Sequence, residues 1–241
     1  MSELAVRDLH KRFGRKEVVR GIDMQMQSGE IVGFLGPNGA GKTTSFYMIV
    51  GFIPPTDGAI YLNDVNITGL SMYKRARAGI SYLPQEPSVF RKMSVEENVW
   101  AILETRRDID VHEKKDRLEL LLEELGIREL RYQKAFTLSG GERRRTEIAR
   151  ALAIEPSFLL LDEPFAGIDP IAVYEIKAII RDLAKQGIGV LITDHNVRDT
   201  LEITHRSYII KDGMIVVSGD KDEVMKSDVA RRVYLGESFQ M

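Results

Sequence analysis

Short apolar runs and one alternating stretch predict most of the strands in this chain. In residues 22–27 apolar and polar side chains alternate, which is typical of a half-buried strand. Continuous apolar runs are typical of strands buried on both faces of a parallel sheet. On these patterns we predict strands at residues 22–27, 30–35, 59–62, 158–161 and 188–193, and a hairpin of residues 207–211 and 214–218 joined by Asp212 and Gly213.

The middle of the chain, about residues 86–150, follows a helical pattern. Asp110 and Glu113 have the spacing of a capping box, and Gly126 ends the apolar stripe behind it. That stripe consists of Leu118, Leu121, Leu122 and Leu125. A later helix begins near Pro170 and has apolar positions at Ile176, Ile179, Ile180 and Leu183. Strands on both sides of a helical segment predict an α/β fold with a helical insertion, and with an antiparallel part near the N-terminus.

Composition excludes several classes of protein. The 241 residues are 44% hydrophobic and 29% charged, which is typical of a globular chain. With no cysteine, disulfides, thiolate zinc sites and a cysteine nucleophile are excluded. No run approaches the roughly 20 apolar residues of a membrane span, and no signal-peptide core is present. We therefore expect a cytosolic protein that contacts membranes only through partners.

Charge gives no reason to expect a nucleic-acid partner. The formal net charge is -2, so the chain as a whole does not attract polyanions. Arg143, Arg144 and Arg145 are consecutive and could suggest a basic patch. On a helix, however, three consecutive side chains point in different directions, so they form no single basic face.

Residues 36–43 match the phosphate-loop pattern G-x-x-x-x-G-K-[ST] between a predicted strand and a helix at 42–50. Glycines let backbone N–H groups surround phosphate oxygens at the helix N-terminus. We expect Lys42 to reach the β- and γ-phosphates of ATP, and the Thr43 hydroxyl to bind Mg²⁺. The nucleotide-binding residues predicted here are Gly36, Pro37, Asn38, Gly39, Ala40, Gly41, Lys42, Thr43 and Thr44. A plain glycine-rich turn is the alternative.

Asp162 and Glu163 follow the apolar run at 158–161. The carboxyl ends of parallel strands are where ligands bind in open α/β sheets. We expect Asp162 to hold Mg²⁺ through water, and Glu163 to orient or deprotonate an attacking water. Two solvated acids after a strand are the alternative, which the phosphate loop disfavours.

A second anion-binding helix start is predicted at residues 138–142. Ser139 and Glu142 have capping-box spacing, and Gly140 and Gly141 leave the N–H groups of the first turn bare. One nucleotide needs only one such anion-binding helix start. A second helix start in the same chain therefore suggests that it binds the nucleotide of another chain. Taken alone, the segment is equally typical of an ordinary capped helix.

These motifs, in this order, resemble the ATPase domain of ABC transporters over nearly the whole chain. The resemblance implies that residues 138–142 are a signature motif that closes over ATP held by a facing subunit. It implies a P-loop NTPase (RecA-like) core with an antiparallel β subdomain and an inserted α-helical subdomain. Residues 1–85 and 151–241 then form the core, and residues 86–150 the helical subdomain, of one domain spanning residues 1–241.

The resemblance also implies roles for residues between the motifs. Phe13 stands where an aromatic ring stacks on adenine, although a core aromatic is the alternative. Gln85 occupies the position that couples the γ-phosphate and Mg²⁺ to a membrane partner. Residues 166–169 depart from the usual Ser-Ala-Leu-Asp but keep Asp169, which is implied to act at the nucleotide. His195 stands at the switch-histidine position, against the alternative of a buried structural histidine.

Three stretches, residues 85–91, 193–201 and 233–239, are most similar to the ATPase subunits of lipopolysaccharide-export ABC transporters. This similarity implies a homodimer beneath two transmembrane subunits, on the cytoplasmic face of the inner membrane, whose ATP hydrolysis powers lipopolysaccharide extraction. It also implies a docking groove near Phe90 and Arg91. The alternative for Phe90 is a place in the core of the helical module.

Other functions stay open at this point. The ATPase of branched-chain amino-acid importers shares much of residues 85–99. A cytosolic ABC ATPase without a transporter usually has paired domains or long insertions, for which 241 residues leave no space. A P-loop kinase or GTPase is disfavoured because the chain has no Asn-Lys-x-Asp motif and such enzymes do not need residues 138–142.

Overall fold

The computed structural model describes residues 1–232, so the predicted similarity at 233–239 lies outside the described residues. The strands are β1 (Glu3–Phe13), β2 (Lys16–Gln27), β3 (Ile31–Leu35), β4 (Asp57–Leu62), β5 (Val65–Asn66), β6 (Ile80–Leu83), β7 (Phe158–Asp162), β8 (Gly189–Thr193), β9 (Arg206–Lys211) and β10 (Met214–Gly219). The helices are α1 (Lys42–Val50), α2 (Met72–Arg77), α3 (Val95–Leu103), α4 (Val111–Glu124), α5 (Gly140–Leu152), α6 (Pro170–Lys185), α7 (Val197–Ile203), α8 (Lys221–Lys226) and α9 (Asp228–Ala230). Short 3-10 helices occupy Arg128–Leu130 and Ala135–Thr137.

The strands form two sheets. The smaller sheet is antiparallel in its β1, β2 and β4 pairings and has the order β2-β1-β4-β5. The larger sheet has the order β10-β9-β3-β8-β7-β6, in which only the β9–β10 hairpin is antiparallel. The strand β6 is therefore an edge of the larger sheet. The carboxyl ends of β3, β7 and β8 meet at one side of the sheet, where ligands bind in open α/β folds.

Two clusters of buried apolar side chains pack against the two faces of the larger sheet. One cluster fills the space between the antiparallel sheet, α1 and one face of the larger sheet, with Leu4, Met24 and Phe46 at its centre. A second covers the other face and continues from Leu159 and Leu161 into α3, α4 and α5. The helical segment therefore shares a core with the sheet. Among residues 1–232 no helix has both the length and the apolar composition needed to cross a membrane.

The α/β fold with a P-loop NTPase core, an antiparallel part and a helical insertion is confirmed. The phosphate-loop helix covers residues 42–50 as predicted, and the hairpin of β9 and β10 is present. Three strands, β1, β5 and β6, were not predicted. In β1 the consecutive exposed residues Arg7 and Asp8 interrupt the alternation, at a shift in register where Asp8 has a φ of +43°.

Candidate active site

Two glycines of the phosphate loop, Gly36 and Gly41, leave no room for a side chain. A Cβ at Gly36 would lie 2.1 Å from the backbone oxygen of Ile210, and one at Gly41 would lie 2.9 Å from the backbone oxygen of Val18. Gly41 also has a φ of +108°, a region that side chains disfavour. The loop can therefore pass directly from β3 into α1, whose first N–H groups face the anion site.

Lys42 is held inside this loop. Its Nζ donates to the backbone oxygens of Gly36 at 2.7 Å and Pro37 at 3.0 Å. Burial lowers the pKa of Lys42, and the nearby carboxylates of Glu163 and Asp162 oppose that shift. The ammonium group is thus placed beside both acids at the end of β7.

Glu163 lies between two polar side chains. Its Oε2 accepts a hydrogen bond from Gln85 Nε2 at 2.6 Å, and its Oε1 lies 2.7 Å from His195 Nε2. Burial raises the pKa of Glu163, while the neighbouring His195 acts in the opposite direction. The residue has a φ of +49°, and its N–H donates to the backbone oxygen of Thr193 at 2.7 Å. A non-glycine residue in this strained region is typical of a functional site.

The adjoining acids are fixed by hydrogen bonds. Asp162 is buried and its Oδ2 accepts from the Tyr82 hydroxyl at 3.2 Å. Burial raises the pKa of Asp162. Asp194 accepts from the N–H groups of Phe165 and Asn196, and burial is the largest cause of its raised pKa. Three acids with raised pKa values at the carboxyl ends of β7 and β8 are typical of a catalytic site.

A cavity of about 300 Å³ opens in front of these groups. Its lining comprises Lys16, Val18, Asn38, Gly39, Gly41, Lys42, Thr43, Thr44, Gln85, Glu163 and His195. The phosphate loop, Gln85, Glu163 and His195 therefore meet in one place. His195 has a side chain 52% exposed, so the alternative of a buried structural histidine is wrong.

Phe13 lies just outside this cavity. It pairs with Lys16 across the first hairpin, and Lys16 lines the cavity. The ring is 51% exposed, and Lys11 Nζ lies 5.1 Å from its centre. The alternative of a core aromatic is therefore wrong.

Residues 138–142 do not line the cavity. The capping box is present: Ser139 Oγ accepts from the N–H of Glu142 at 3.3 Å, and Glu142 Oε2 accepts from the N–H of Ser139 at 2.8 Å. Ser139 is exposed. A Cβ at Gly141 would lie 2.7 Å from the Cβ of Ala172, so close packing against α6 is a second reason for glycine there. Gly140 is less constrained, because a Cβ there would lie 3.3 Å from Ile168 Cγ2.

Asp169 also lies away from the cavity, at the N-terminus of α6. Its Oδ1 accepts from the N–H groups of Ile171 and Ala172, each at 3.0 Å. This carboxylate therefore caps α6, a structural role that its place in the motif did not predict.

The three consecutive arginines point apart. Arg145 pairs with Glu175, whereas Arg144 is buried and donates to the backbone oxygen of Pro84 at 2.9 Å and to Glu147 Oε2 at 3.2 Å. Arg144 also donates to the backbone oxygen of Asp162 at 3.3 Å. It thus joins α5 to the segment before Gln85 and to the end of β7, a role that the sequence did not predict.

A glycine-rich loop between a strand and a helix, facing an acid at the end of a nearby strand, defines a P-loop nucleotide-binding protein. A family profile described as "ABC transporter" matches residues 19–166. The chain belongs to the ABC transporter family, in which it is a nucleotide-binding, ATP-hydrolysing subunit.

Relatives and solved structures match the chain along its length. It is 56% identical over 242 residues to "Lipopolysaccharide export system ATP-binding protein LptB" of Acidithiobacillus ferridurans, covering all of both chains. It is 50% identical over 241 residues to the protein of that name from Escherichia coli K12, again covering all of both. A crystal structure of an ATP-binding cassette of an ABC transporter in its ADP conformation is 28% identical, with a TM-score of 0.87 over 98% of this chain and 100% of that one.

Proposed function

We propose that this chain is the ATPase subunit of a lipopolysaccharide-export transporter. It works as a homodimer beneath two transmembrane subunits on the cytoplasmic face of the inner membrane. The full-length identity of 50–56% to two lipopolysaccharide-export ATP-binding proteins supports the cargo and the assembly. The geometry around Glu163 supports the chemistry.

The observation that carries the chemistry is the position of the Glu163 carboxylate between Gln85 and His195. A carboxylate with a raised pKa is a better proton acceptor than an ordinary one. Glu163 lines the same cavity as the phosphate loop, so it orients a water towards the terminal phosphate and accepts its proton. His195 and Gln85 position the carboxylate and contact the reacting end of the nucleotide.

The oxygen donors present fit a magnesium ion. Mg²⁺ prefers oxygen ligands and is usually held by one or two carboxylates together with substrate phosphates. The Thr43 hydroxyl, the Gln85 amide oxygen and the Asp162 carboxylate supply such donors beside the phosphate loop. A cluster of three acidic or histidine ligands is not needed for this binding mode, and residues 1–232 contain none. When bound, the ion neutralises phosphate charge in the transition state.

The exposed helix start at Ser139 completes the site of a second copy. Ser139, Gly140, Gly141 and Asp169 lie outside the cavity that holds the phosphate loop of their own chain. An exposed, capped helix N-terminus is suited to a phosphate presented by another molecule. In the homodimer these residues therefore contact the nucleotide of the facing chain, and Phe13 stacks on adenine within its own chain.

The membrane partners dock along the edge strand β6. Two adjoining cavities of about 650 and 330 Å³ share Ala76, Thr105 and Ile154, and the smaller one is lined by all four residues of β6. We call them together the β6 groove. Phe90 is 44% exposed, and its ring lies 4.4 Å from the guanidinium carbon of Arg150, which lines the groove. The core alternative for Phe90 is therefore wrong.

Purification of the tagged chain from membranes in mild detergent tests this assignment. We expect transmembrane subunits to co-purify, with lipopolysaccharide bound to the complex. Co-purification with the permeases of an amino-acid importer, and no lipopolysaccharide, would instead support the importer alternative.

A further inference from the structure

Tyr82 contacts the acid at the end of β7 from the neighbouring edge strand. Its hydroxyl donates to Asp162 Oδ2 at 3.2 Å. In the parallel register Tyr82 stands opposite Leu160, two residues before Asp162, so Tyr82 and Asp162 lie on the same face of the sheet. The contact therefore follows from the pairing of β6 with β7.

Two further rings fix the orientation of the Tyr82 ring. The ring centres of Tyr47 and Phe52 lie 6.4 and 5.7 Å from that of Tyr82, with interplanar angles of 86° and 81°. Tyr47 and Phe52 also meet edge to face at 5.4 Å. Three rings in mutual edge-to-face contact leave little freedom for rotation of the phenol. The hydroxyl is thus pre-positioned beside Asp162 by α1 and the turn that follows it.

Tyr82 also belongs to the lining of the β6 groove. The smaller cavity of the groove is lined by Tyr82 together with Met72, Ile102 and Arg150. A molecule that fills this cavity therefore meets the residue whose hydroxyl holds Asp162.

We propose that Tyr82 is a positioning residue that fixes the Asp162 carboxylate for magnesium binding. The inference rests on the proposed function, in which Asp162 helps to hold the ion. The phenol donates to Oδ2 and thereby restricts the rotation of the carboxylate, so that Oδ1 stays available to the ion. Hydrogen-bond partners of this kind typically change metal affinity by about 10- to 100-fold when removed.

Tyr82→Phe tests the proposal because it removes the hydroxyl and keeps the ring. The matched control is Tyr208→Phe, since the Tyr208 hydroxyl donates to the backbone oxygen of Gln25 at 3.2 Å and neither residue lines the nucleotide cavity. Binding of a fluorescent ATP analogue is measured in EDTA and then in a titration with Mg²⁺. For Tyr82→Phe we expect unchanged affinity in EDTA and a rise of about tenfold in the Mg²⁺ concentration at half-saturation. The control should match the wild type in both.

Two results would overturn the inference. One is an unchanged Mg²⁺ half-saturation in Tyr82→Phe. The other is an equal loss of nucleotide affinity with and without Mg²⁺, since that would mean a purely structural role for the hydroxyl. A wild-type chain whose nucleotide binding ignores Mg²⁺ would contradict the proposed function itself, so the two failures are distinguishable.

Discussion

Glu163 Oε1 lies 2.7 Å from His195 Nε2, across the ends of two adjacent parallel strands. The register brings them together, because Asp162 at the end of β7 pairs with Thr193 at the end of β8. Each functional side chain follows its strand by one or two residues. The contact between Glu163 and His195 therefore depends on the pairing of β7 with β8 and on the positive φ of Glu163.

Glu163→Gln should keep ATP binding and lose most turnover. The amide has the shape of the carboxylate but accepts no proton, and loss of general-base catalysis typically costs about 10²- to 10⁴-fold. Removal of the charge should also favour an ATP-bound closed dimer. Turnover and size-exclusion profiles with ATP provide the measurement, and hydrolysis near the wild-type rate would contradict the role given to Glu163.

Mixed dimers test whether two chains build each nucleotide site. In a pair of one Lys42→Ala chain and one Ser139→Arg chain, both lesions fall in one site and the other site is intact. The mixture should therefore hydrolyse ATP, whereas neither homodimer should. A specific activity that does not depend on protein concentration across the dimerisation range, or a mixture as inactive as its components, would show that Ser139 does not serve the facing chain.

The pH dependence of stability should report the buried Asp162. Burial raises its pKa in the folded chain, so the folded state binds the proton more tightly than the unfolded state. Stability from this group is therefore fully present below the unfolded pKa and is lost as the pH rises through the raised folded pKa. Asp162→Asn should melt above the wild type at pH 7, by roughly 2–4 °C for each kcal/mol recovered.

The higher melting temperature of Asp162→Asn should shrink as the pH falls below the usual aspartate range, because Asp162 of the wild type is then protonated in both the folded and the unfolded state. Asp182→Asn is the control because that carboxylate is exposed and pairs with Lys185 of its own helix. A higher melting temperature in the control, or none in Asp162→Asn at pH 7, would contradict the sign of the effect.

Phe90→Ala should leave the isolated chain folded and active while assembly with membrane partners fails. Phe90 is 44% exposed, so its truncation loses about half of the burial free energy of a core phenylalanine together with the contact with Arg150, and should cost about 1–2 kcal/mol. The fully buried Phe158 gives the contrast, since Phe158→Ala should cost about 3–5 kcal/mol. Thermal melts, ATPase assays and detergent pull-downs measure these effects. Partner binding retained by Phe90→Ala would argue against docking of the membrane partners at Phe90.

The sequence predicted best where local rules decide the structure. The phosphate loop was predictable because its glycines, Gly36 and Gly41, and the helix start at Lys42 lie close together in the sequence. The capping boxes at Asp110 and Ser139 are local in the same way, and both are present.

Non-local contacts were beyond the reach of such patterns. Tyr82 meets Asp162 only through the pairing of β6 with β7, 80 residues apart in the chain. The packing of Gly141 against Ala172 likewise depends on how α5 and α6 meet. The sequence predicted only that Arg144 and its two neighbours form no single basic face, whereas in the structure Arg144 is buried and links α5 to the end of β7.

In the proposed function, ATP hydrolysis at Glu163 drives lipopolysaccharide out of a membrane. The most direct measurement is release of labelled lipopolysaccharide from proteoliposomes that contain this chain with its co-purified membrane partners. We expect release that requires ATP and Mg²⁺ and that stops with Glu163→Gln in an otherwise assembled complex. Release that continues unchanged in the Glu163→Gln complex, or ATP hydrolysis by the wild-type complex without any release, would contradict it.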